Sequence, residues 1–556
     1  MARVSLAAAL LLGGCLHPRG AAPPGRLAST VLPAGRALPR PAAPASQPTT
    51  SPASQPAATS QPAVDRTEQL RTLLQAELAH PDLAKAKVSL VAAPLLEGEP
   101  LFSAEPEARR LPASNAKLLT TSAAAALLPG RYQFVTEVSR KGVAGPLYLW
   151  STGDPVLRRA DLVRLARAVR AEGVTKARGV VVDASHFEPR TLAPGFESFA
   201  EGSYYRPSSG ALNVDGNVLV IQVSAPADRK RPRVDVFPPS DYVIVRKRVR
   251  YSPAKRGKAL KGSQVKITLQ VRGATIWITV AGTIGRKAPP YQTRRAVPNP
   301  ALNVGWAFRR ALKDEGVTVL GGVRAGRRPR EGKVLARRVR ALQDVLLAAN
   351  RDSDNLAAET LVRAMGQLRP AAASETDDEE PPTPRAAVQL DSWGRGLARL
   401  TEALGALGVT DFKLSNGSGL DRRAHVTAQG MVALLRRVYG DPKLRALLLP
   451  TLSVAGRSGT LGGRLRGTPA AGVVRGKTGT LAGALALSGY VDVGGPHPLV
   501  FSMLVNGRAD RRARSHIDRV AELLARFAKG LPLATETPAS APSTQPVSEE
   551  TPPDEG

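Results

Sequence analysis

The sequence predicts a mixed α/β (α+β) chain of more than one unit, and three observations predict it. At 556 residues the chain is too long for one compact core. Helical stripes alternate with short apolar runs. Leu162, Leu165, Ala166 and Val169 form one stripe, stopped by Gly173 and followed by the buried strand Gly179-Val180-Val181-Val182-Asp183. Strict alternation at Val265, Ile267, Leu269, Val271 and then Ile276, Ile278, Val280, on either side of Arg272-Gly273, marks a half-buried hairpin.

Taken in order, the chain starts with a basic Met1-Ala2-Arg3 and an apolar run at 4–12 that is too short to span a bilayer. Leu12-Gly13-Gly14-Cys15 closes it, which reads as an export signal over residues 1–15. The segment also resembles the lipobox of bacterial lipoproteins. That resemblance implies lipidation of Cys15, a membrane anchor, and a periplasmic protein. Cys15 is the only cysteine, so no internal disulfide forms. Residues 16–64 repeat Ser-Gln-Pro among proline, alanine and threonine, a semi-extended tether with too little apolar content to fold.

Structure begins at Asp65-Arg66-Thr67-Glu68, a capping pattern before the stripe Leu70, Leu73, Leu74 and Leu78. Short strands follow at 88–91 and 100–102. Pro112-Ala113-Ser114-Asn115-Ala116-Lys117 then opens a run of helix formers that Pro129-Gly130 end. On a helix, Lys117 stands beside Ser114, where a lysine can take the proton of a serine nucleophile. The plainer reading is that Ser114 caps a buried helix. After a strand at 133–138 the character changes, and residues 144–334 read as an insertion. Its α/β part spans 144–214 and 291–334, and its β part 215–290. Residues 369–385 are acidic and proline-rich, a solvated loop. Two helices flank the glycine-rich turn Leu414-Ser415-Asn416-Gly417-Ser418-Gly419-Leu420, and residues 473–505 read as strands of a sheet. Residues 531–556 form a tail with almost no core side chains.

Lys+Arg 78 against Asp+Glu 46 gives a formal charge of +32, which raises nucleic acid, anionic membrane or an acidic polymer as partners. The basic residues are mostly arginines spread along the chain without aromatic interleaving, which argues against nucleic acid. The six histidines are scattered singly with no metal-ligand spacing. No metal or organic cofactor is called for. No G-x-S-x-G elbow supports a Ser-His-Asp triad.

Three motifs occur in one order. Ser114-Asn115-Ala116-Lys117 is S-x-x-K, Ser353-Asp354-Asn355 is S-x-N at the mouth of a helix, and Lys477-Thr478-Gly479 is K-T-G with Thr480 opening an apolar strand. Together they are the signature of penicillin-binding proteins and serine β-lactamases. The flanks Asn355-Leu356-Ala357-Ala358-Glu359, Asn416-Gly417-Ser418-Gly419-Leu420, Gly459-Thr460-Leu461 and Gly476-Lys477-Thr478-Gly479-Thr480-Leu481 narrow it. They resemble the D-alanyl-D-alanine carboxypeptidase/endopeptidase family, peptidase S13. Gly153-Asp154-Pro155 and Ser209-Gly210-Ala211-Leu212 resemble segments of that family's insertion. The resemblance implies a transpeptidase-like domain, with a central antiparallel sheet flanked by helices, over 65–143 and 335–530.

It also implies the chemistry. Ser114 attacks the carbonyl of the penultimate D-alanine of a peptidoglycan stem peptide and becomes an acyl-enzyme, and β-lactams acylate it in the same way. Lys117 must be neutral at that moment, which burial near other cations favours. Ser353 relays a proton between Lys117 and the leaving amine, and Asn355 holds the substrate amide. Lys477 and Thr478 meet the terminal carboxylate, and Gly479 leaves room for substrate to lie along the strand. The backbone N–H groups of Ser114 and Thr480 form an oxyanion hole worth about 3 kcal/mol per donor. The chain departs from the family pattern at Asn416, Asp421 and Ser458, and Arg351-Asp352 is unusually charged. The alternatives are a β-lactamase-like esterase and a catalytically silent wall-binding protein. Intact Ser114, Lys117, Ser353, Asn355 and Lys477 argue against silence.

Overall fold

In a computed structural model of the chain the described residues are 65–198, 202–226, 228, 230–252, 263–368, 391–507 and 510–533. The expected signal with Cys15, the tether, the acidic loop at 369–385 and the tail beyond 533 lie outside them.

A six-stranded antiparallel sheet carries the motifs. Its order is Ser453–Val454, Val474–Leu481, Ala484–Val491, Leu499–Asn506, Lys87–Pro94 and Phe102–Ala104. Side chains alternate between two helical layers, as a strand's period of two requires. Leu485, Leu487 and Val491 join one core with Leu70, Leu74, Ile517, Val520 and Leu524 of the Arg66–Leu78 and Arg511–Ala528 helices. Ala486 and Tyr490 join the other, with Leu118, Leu119, Leu361, Trp393 and Leu434. That layer comprises Ala116–Leu127, Leu342–Asn350, Asn355–Met365, Ser392–Ala406 and Ala428–Gly440. The central antiparallel sheet flanked by helices is the fold expected.

Among the described residues the insertion has its own core and four sheets, one of them the short pair Lys176–Ala177 and Thr318–Val319. Val323–Ala325, Val180–Asp183 and Leu147–Ser151 run parallel, and Gln133–Arg140 and Lys333–Ala341 add antiparallel strands at one edge. The Arg159–Ala171 and Pro300–Asp314 helices supply Leu162, Val169, Phe308 and Leu312 to that core. Strand pairing therefore moves the insertion's limits. Gln133–Arg140 and Lys333–Ala341, assigned from sequence mostly to the catalytic domain, pair with each other and belong to the insertion's sheet. A strand's sequence does not name its partner, and the separation of these two strands hid the pairing. The β part likewise extends past 290, because Tyr291–Ala296 pairs with Val218–Ser224. Val218–Ser224 also pairs with Arg233–Phe237. The expected hairpin is Ser263–Arg272 with Thr275–Ile284, and Val243–Tyr251 joins it in parallel.

Candidate active site

The Ser114 stretch is clamped to the sheet at both ends. Asn506 Oδ1 accepts from the Leu111 N–H at 2.7 Å and its Nδ2 donates to the Leu111 carbonyl at 3.1 Å. Asn115 Nδ2 donates to Ser488 Oγ at 2.7 Å, fixing the turn over the centre of the sheet. Ala113–Asn115 is a single 3-10 turn, and the α-helix starts at Ala116. Ala113 holds φ 46, a left-handed conformation that costs a non-glycine residue about 1–3 kcal/mol and sits here beside the reacting group. Gly479 accounts for the close fit below. A Cβ on it would meet the Pro112 carbonyl at 2.8 Å and Ala486 Cβ at 3.1 Å. Its missing side chain therefore admits the serine turn itself, where the sequence suggested that it made room for substrate.

Ser114 caps nothing: its hydroxyl accepts from Lys117 Nζ at 2.9 Å. Lys117 is fully buried and donates also to Asn355 Oδ1 at 2.6 Å and to the Ser418 carbonyl at 3.3 Å. Burial lowers its pKa from 10.5 to about 8, while Glu359 and Asp354 pull the other way. Asp354 caps the Asn355–Met365 helix through the Ala357 N–H, which sets Asn355 at its first turn. Ser353 just before it holds φ 58, the second left-handed non-glycine residue at the site.

Ser353 Oγ accepts from Lys477 Nζ at 2.9 Å. Among the described residues no hydrogen bond joins Ser353 to Lys117. The relay expected from Lys117 through Ser353 therefore starts from a Ser353 held by the other lysine. Lys477 is fully buried too, and burial first, Lys117 second, hold its pKa well below the usual lysine value. Thr478 Oγ1 donates to Thr460 Oγ1 at 2.7 Å, and Thr480 is exposed beyond it. Among the described residues, on the side facing away from Ala484–Val491 the Val474–Leu481 strand is held only at Val474, Arg475 and Gly476. Among the described residues Lys477 to Leu481 present an unpaired strand edge next to Ser114.

The eight candidate residues thus converge, and several others join them that the motifs did not single out. Glu359, fully buried, accepts from the Trp393 Nε1–H at 3.1 Å and from the Gly417 and Ser418 N–H groups at 3.1 and 2.9 Å. It holds the loop whose Ser418 carbonyl faces Lys117. Its position four residues after Asn355, on the same helical face, was a usable signal. Thr460 is tied by its N–H to the Arg351 carbonyl at 3.2 Å, next to the Ser353 turn. Tyr205, from the insertion, accepts from Asn355 Nδ2 at 2.5 Å. No local pattern announces that contact. The departures from family pattern are structural: Asn416 Oδ1 accepts from the Gly419 N–H, and Asp421 pairs with Arg423 and Ser415. Ser458 Oγ accepts from the Val454 N–H at 3.3 Å and closes its own turn.

A serine, two buried lysines, a second serine and a free strand edge match the sequence family suggested by the motifs. The sequence model described as the D-Ala-D-Ala carboxypeptidase 3 (S13) family matches residues 70–527. The chain belongs to the S13 family. It is a serine-type D-Ala-D-Ala peptidase of peptidoglycan. It is similar to the D-alanyl-D-alanine carboxypeptidase of an Actinomadura species, 34% identical over 488 residues, 83% of this chain and 86% of that protein. It is also similar to D-alanyl-D-alanine carboxypeptidase DacB of Haemophilus influenzae, 26% identical over 71% of this chain and 80% of that one. Penicillin binding protein 4 (dacB) from Haemophilus influenzae shares the fold, with TM-score 0.64 at 22% identity over 82% of this chain and 99% of the other.

Among the described residues of this S13 enzyme one group has metal-ligand spacing, His80, Asp82 and His516, with ligand atoms within 4.8 Å of one another. It lies against the helical layer on the far side of the sheet from the Ala116–Leu127 helix. His516 Nδ1 meets Glu77 Oε1 at 2.6 Å, and Asp82 pairs with Arg512 at 3.5 Å. It is not part of the serine site.

Proposed function

We propose that Ser114 is the acylated residue, and that the enzyme removes the terminal D-alanine of stem peptides and opens D-alanine-containing cross-links with the same groups. Ser114 Oγ attacks the carbonyl of the penultimate D-alanine while its proton passes to neutral Lys117. The observation that carries this reading is the 2.9 Å contact between Ser114 Oγ and a fully buried Lys117. Burial is what makes a neutral lysine accessible near neutral pH. The oxyanion then meets the backbone N–H groups of Ser114 and Thr480. As the C–N bond breaks, a proton reaches the departing amine by way of Ser353. Water then attacks the ester, gives its proton to Lys117, and returns Ser114 as the free hydroxyl.

Substrate adds to the free edge at Lys477 to Leu481 as an extra strand. Its carboxylate meets Lys477 and Thr478, and an incoming anion favours the charged form of Lys477 that burial disfavours. Asn355 receives the substrate amide once its Nδ2 leaves the Tyr205 carbonyl. β-Lactams are covalent inhibitors on this reading, because the same serine attacks their strained amide. We further propose that the enzyme is exported, lipidated at Cys15 and held in the periplasm by its tether.

Incubation with a fluorescent penicillin tests the proposal. Covalent label on the wild type and none on Ser114→Ala is expected. No label on the wild type, or equal label on both, overturns it. Muropeptides analysed after digestion separate terminal D-alanine release from cross-link cleavage, and metabolic labelling with a radioactive fatty acid, compared with Cys15→Ala, tests the anchor.

A further inference from the structure

The positive charge of this chain is concentrated in one stretch rather than spread evenly along it. Residues 218–296 hold eighteen lysines and arginines against three aspartates and no glutamate, a surplus of fifteen out of the chain's +32. Fewer than eighty of 556 residues therefore hold almost half of the net charge. All of them belong to the β part of the insertion.

The fold arranges five of these residues on one surface. In the insertion's sheet of Ser263–Arg272, Thr275–Ile284 and Val243–Tyr251, Ile276, Ile278 and Val280 turn inward and are fully buried. The alternate positions turn outward. Arg246, Arg248 and Arg250 follow one another at every second residue of Val243–Tyr251, about 6.7 Å apart. The register sets them opposite Thr279, Ala281 and Thr283 of the central strand. Across that strand, Lys266 also stands opposite Ala281, and Arg272 opposite Thr275. All five cations are exposed. No acidic residue occupies an outward position of the three strands, and none of the five forms an ion pair among the described residues. Trp277 lies at the middle, with the Arg246 guanidinium 4.0 Å and the Arg272 guanidinium 5.2 Å from its ring centroid. The remaining outward side chains are mostly threonine and glutamine.

A row of unpaired cations repels itself and is retained at a cost unless an anion answers it. The geometry points to the face of Arg246, Arg248, Arg250, Lys266 and Arg272 as a docking surface for the carboxylate-bearing peptidoglycan polymer, outside the serine site. This assignment rests on the D-Ala-D-Ala peptidase reading, because that reaction identifies the polyanion. Each stem peptide ends in a carboxylate; release of the terminal D-alanine replaces it with the carboxylate of the penultimate residue, and opening of a cross-link adds one. The product of the reaction thus presents carboxylates at many points along a polymer that a flat cationic face can bridge. A membrane surface fits less well. The outward face has one exposed aliphatic residue, Ile244 at 38%, and no apolar wedge to enter lipid. Nucleic acid fits less well too, because the one aromatic ring is covered by guanidiniums rather than offered as a stacking platform.

The test uses the full-length protein and purified, insoluble peptidoglycan sacculi from which phosphodiester polymers have been stripped. The charge-reversal variant Arg246→Glu/Arg248→Glu/Arg250→Glu is compared with the neutral variant Arg246→Gln/Arg248→Gln/Arg250→Gln and the wild type. Wild-type protein is expected to sediment with sacculi at low salt and to be released by added salt, as exposed ion pairs are. The glutamine variant should bind several-fold more weakly and the glutamate variant roughly tenfold more weakly, since each exposed pair contributes modestly. Fluorescent penicillin labelling and release of D-alanine from a soluble peptide should be unchanged in both. That second readout also shows that the variants are folded. Unchanged sedimentation of the glutamate variant overturns the docking surface while leaving the peptidase reading intact. Failure of the wild type to bind stripped sacculi, while it binds phosphatidylglycerol vesicles or DNA, overturns the choice of polymer. Loss of penicillin labelling by the wild type overturns the peptidase reading instead.

Discussion

Lys477 Nζ donates to Ser353 Oγ at 2.9 Å, so the second serine of the site is held by the K-T-G lysine and not by the S-x-x-K lysine. Each buried lysine thereby has a serine of its own, Lys117 with Ser114 and Lys477 with Ser353. Ser353→Ala removes the hydroxyl that passes a proton to the leaving amine. The rate of acylation by a fluorescent penicillin should fall roughly 10²–10⁴-fold, the usual span for losing a proton-transfer group. Wild-type rates in the variant would remove Ser353 from the proton path.

The Lys117 amine gives acylation a pH dependence whose sign is fixed. Burial brings its pKa down to about 8, and only the neutral form accepts the Ser114 proton. Acylation rate should therefore rise about tenfold per pH unit below that value and level off above it. Lys117→Arg keeps a cation that does not deprotonate and should show no measurable acylation. A flat profile between pH 6 and pH 9 would contradict the role of Lys117.

Glu359 satisfies three buried donors at once, those of Trp393, Gly417 and Ser418. Glu359→Ala leaves them without partners at about 1–3 kcal/mol each. Thermal unfolding should shift down by several degrees, and acylation should slow because the Ser418 carbonyl no longer steadies Lys117. A melting temperature equal to that of the wild type would mean that these donors find other partners.

Gly479→Ala tests the contact between strand and serine turn. The new methyl meets the Pro112 carbonyl at 2.8 Å, and overpacking of this kind costs about 1–3 kcal/mol. Because the displaced atoms belong to the residues leading into Ser114, acylation should suffer more than stability. If substrate, rather than the turn, occupied this space, penicillin acylation would fall while the backbone around Ser114 stayed in place in a crystal structure of the variant.

Asp154 makes stability depend on pH in the insertion. Burial raises its pKa from 3.8 to about 6, with Arg340 opposing. A carboxyl raised on folding binds its proton more tightly in the native state. Its contribution is therefore most favourable below about pH 4 and is lost as pH climbs through 6. The unfolding free energies of wild type and Asp154→Asn in urea should diverge across that window and run parallel above it. A constant difference from pH 4 to pH 7 would reject the shift.

The catalytic half of the fold was legible because each motif carries its own local signal. Asp354 before an apolar stripe marks the helix on which Asn355 sits, and the short apolar runs between Val473 and Val505 read as strands, which the structure buries on both faces. Partnership was less legible. Nothing around Gln133–Arg140 says that it pairs with Lys333–Ala341, so the insertion's limits shifted. The missing side chain of Gly479 suggests room for substrate, whereas the atoms that a Cβ there would meet belong to Pro112 and Ala486. Tyr205 reaches Asn355 through a backbone carbonyl, an atom that every residue has and no motif can encode.

The order of strands in the catalytic sheet sets the order in which this enzyme can be finished. Lys87–Pro94 lies between Phe102–Ala104 and Leu499–Asn506, so its main partner is synthesised long after it. The insertion is continuous in sequence between its outermost strands and can form its own core earlier. Ser114 therefore waits, beside an open sheet, for Lys477 and for the Asn506 that clamps Leu111. A chain stopped short of the Leu499–Asn506 strand would hold the nucleophile without its clamp, so the serine turn is fixed only once that strand has paired.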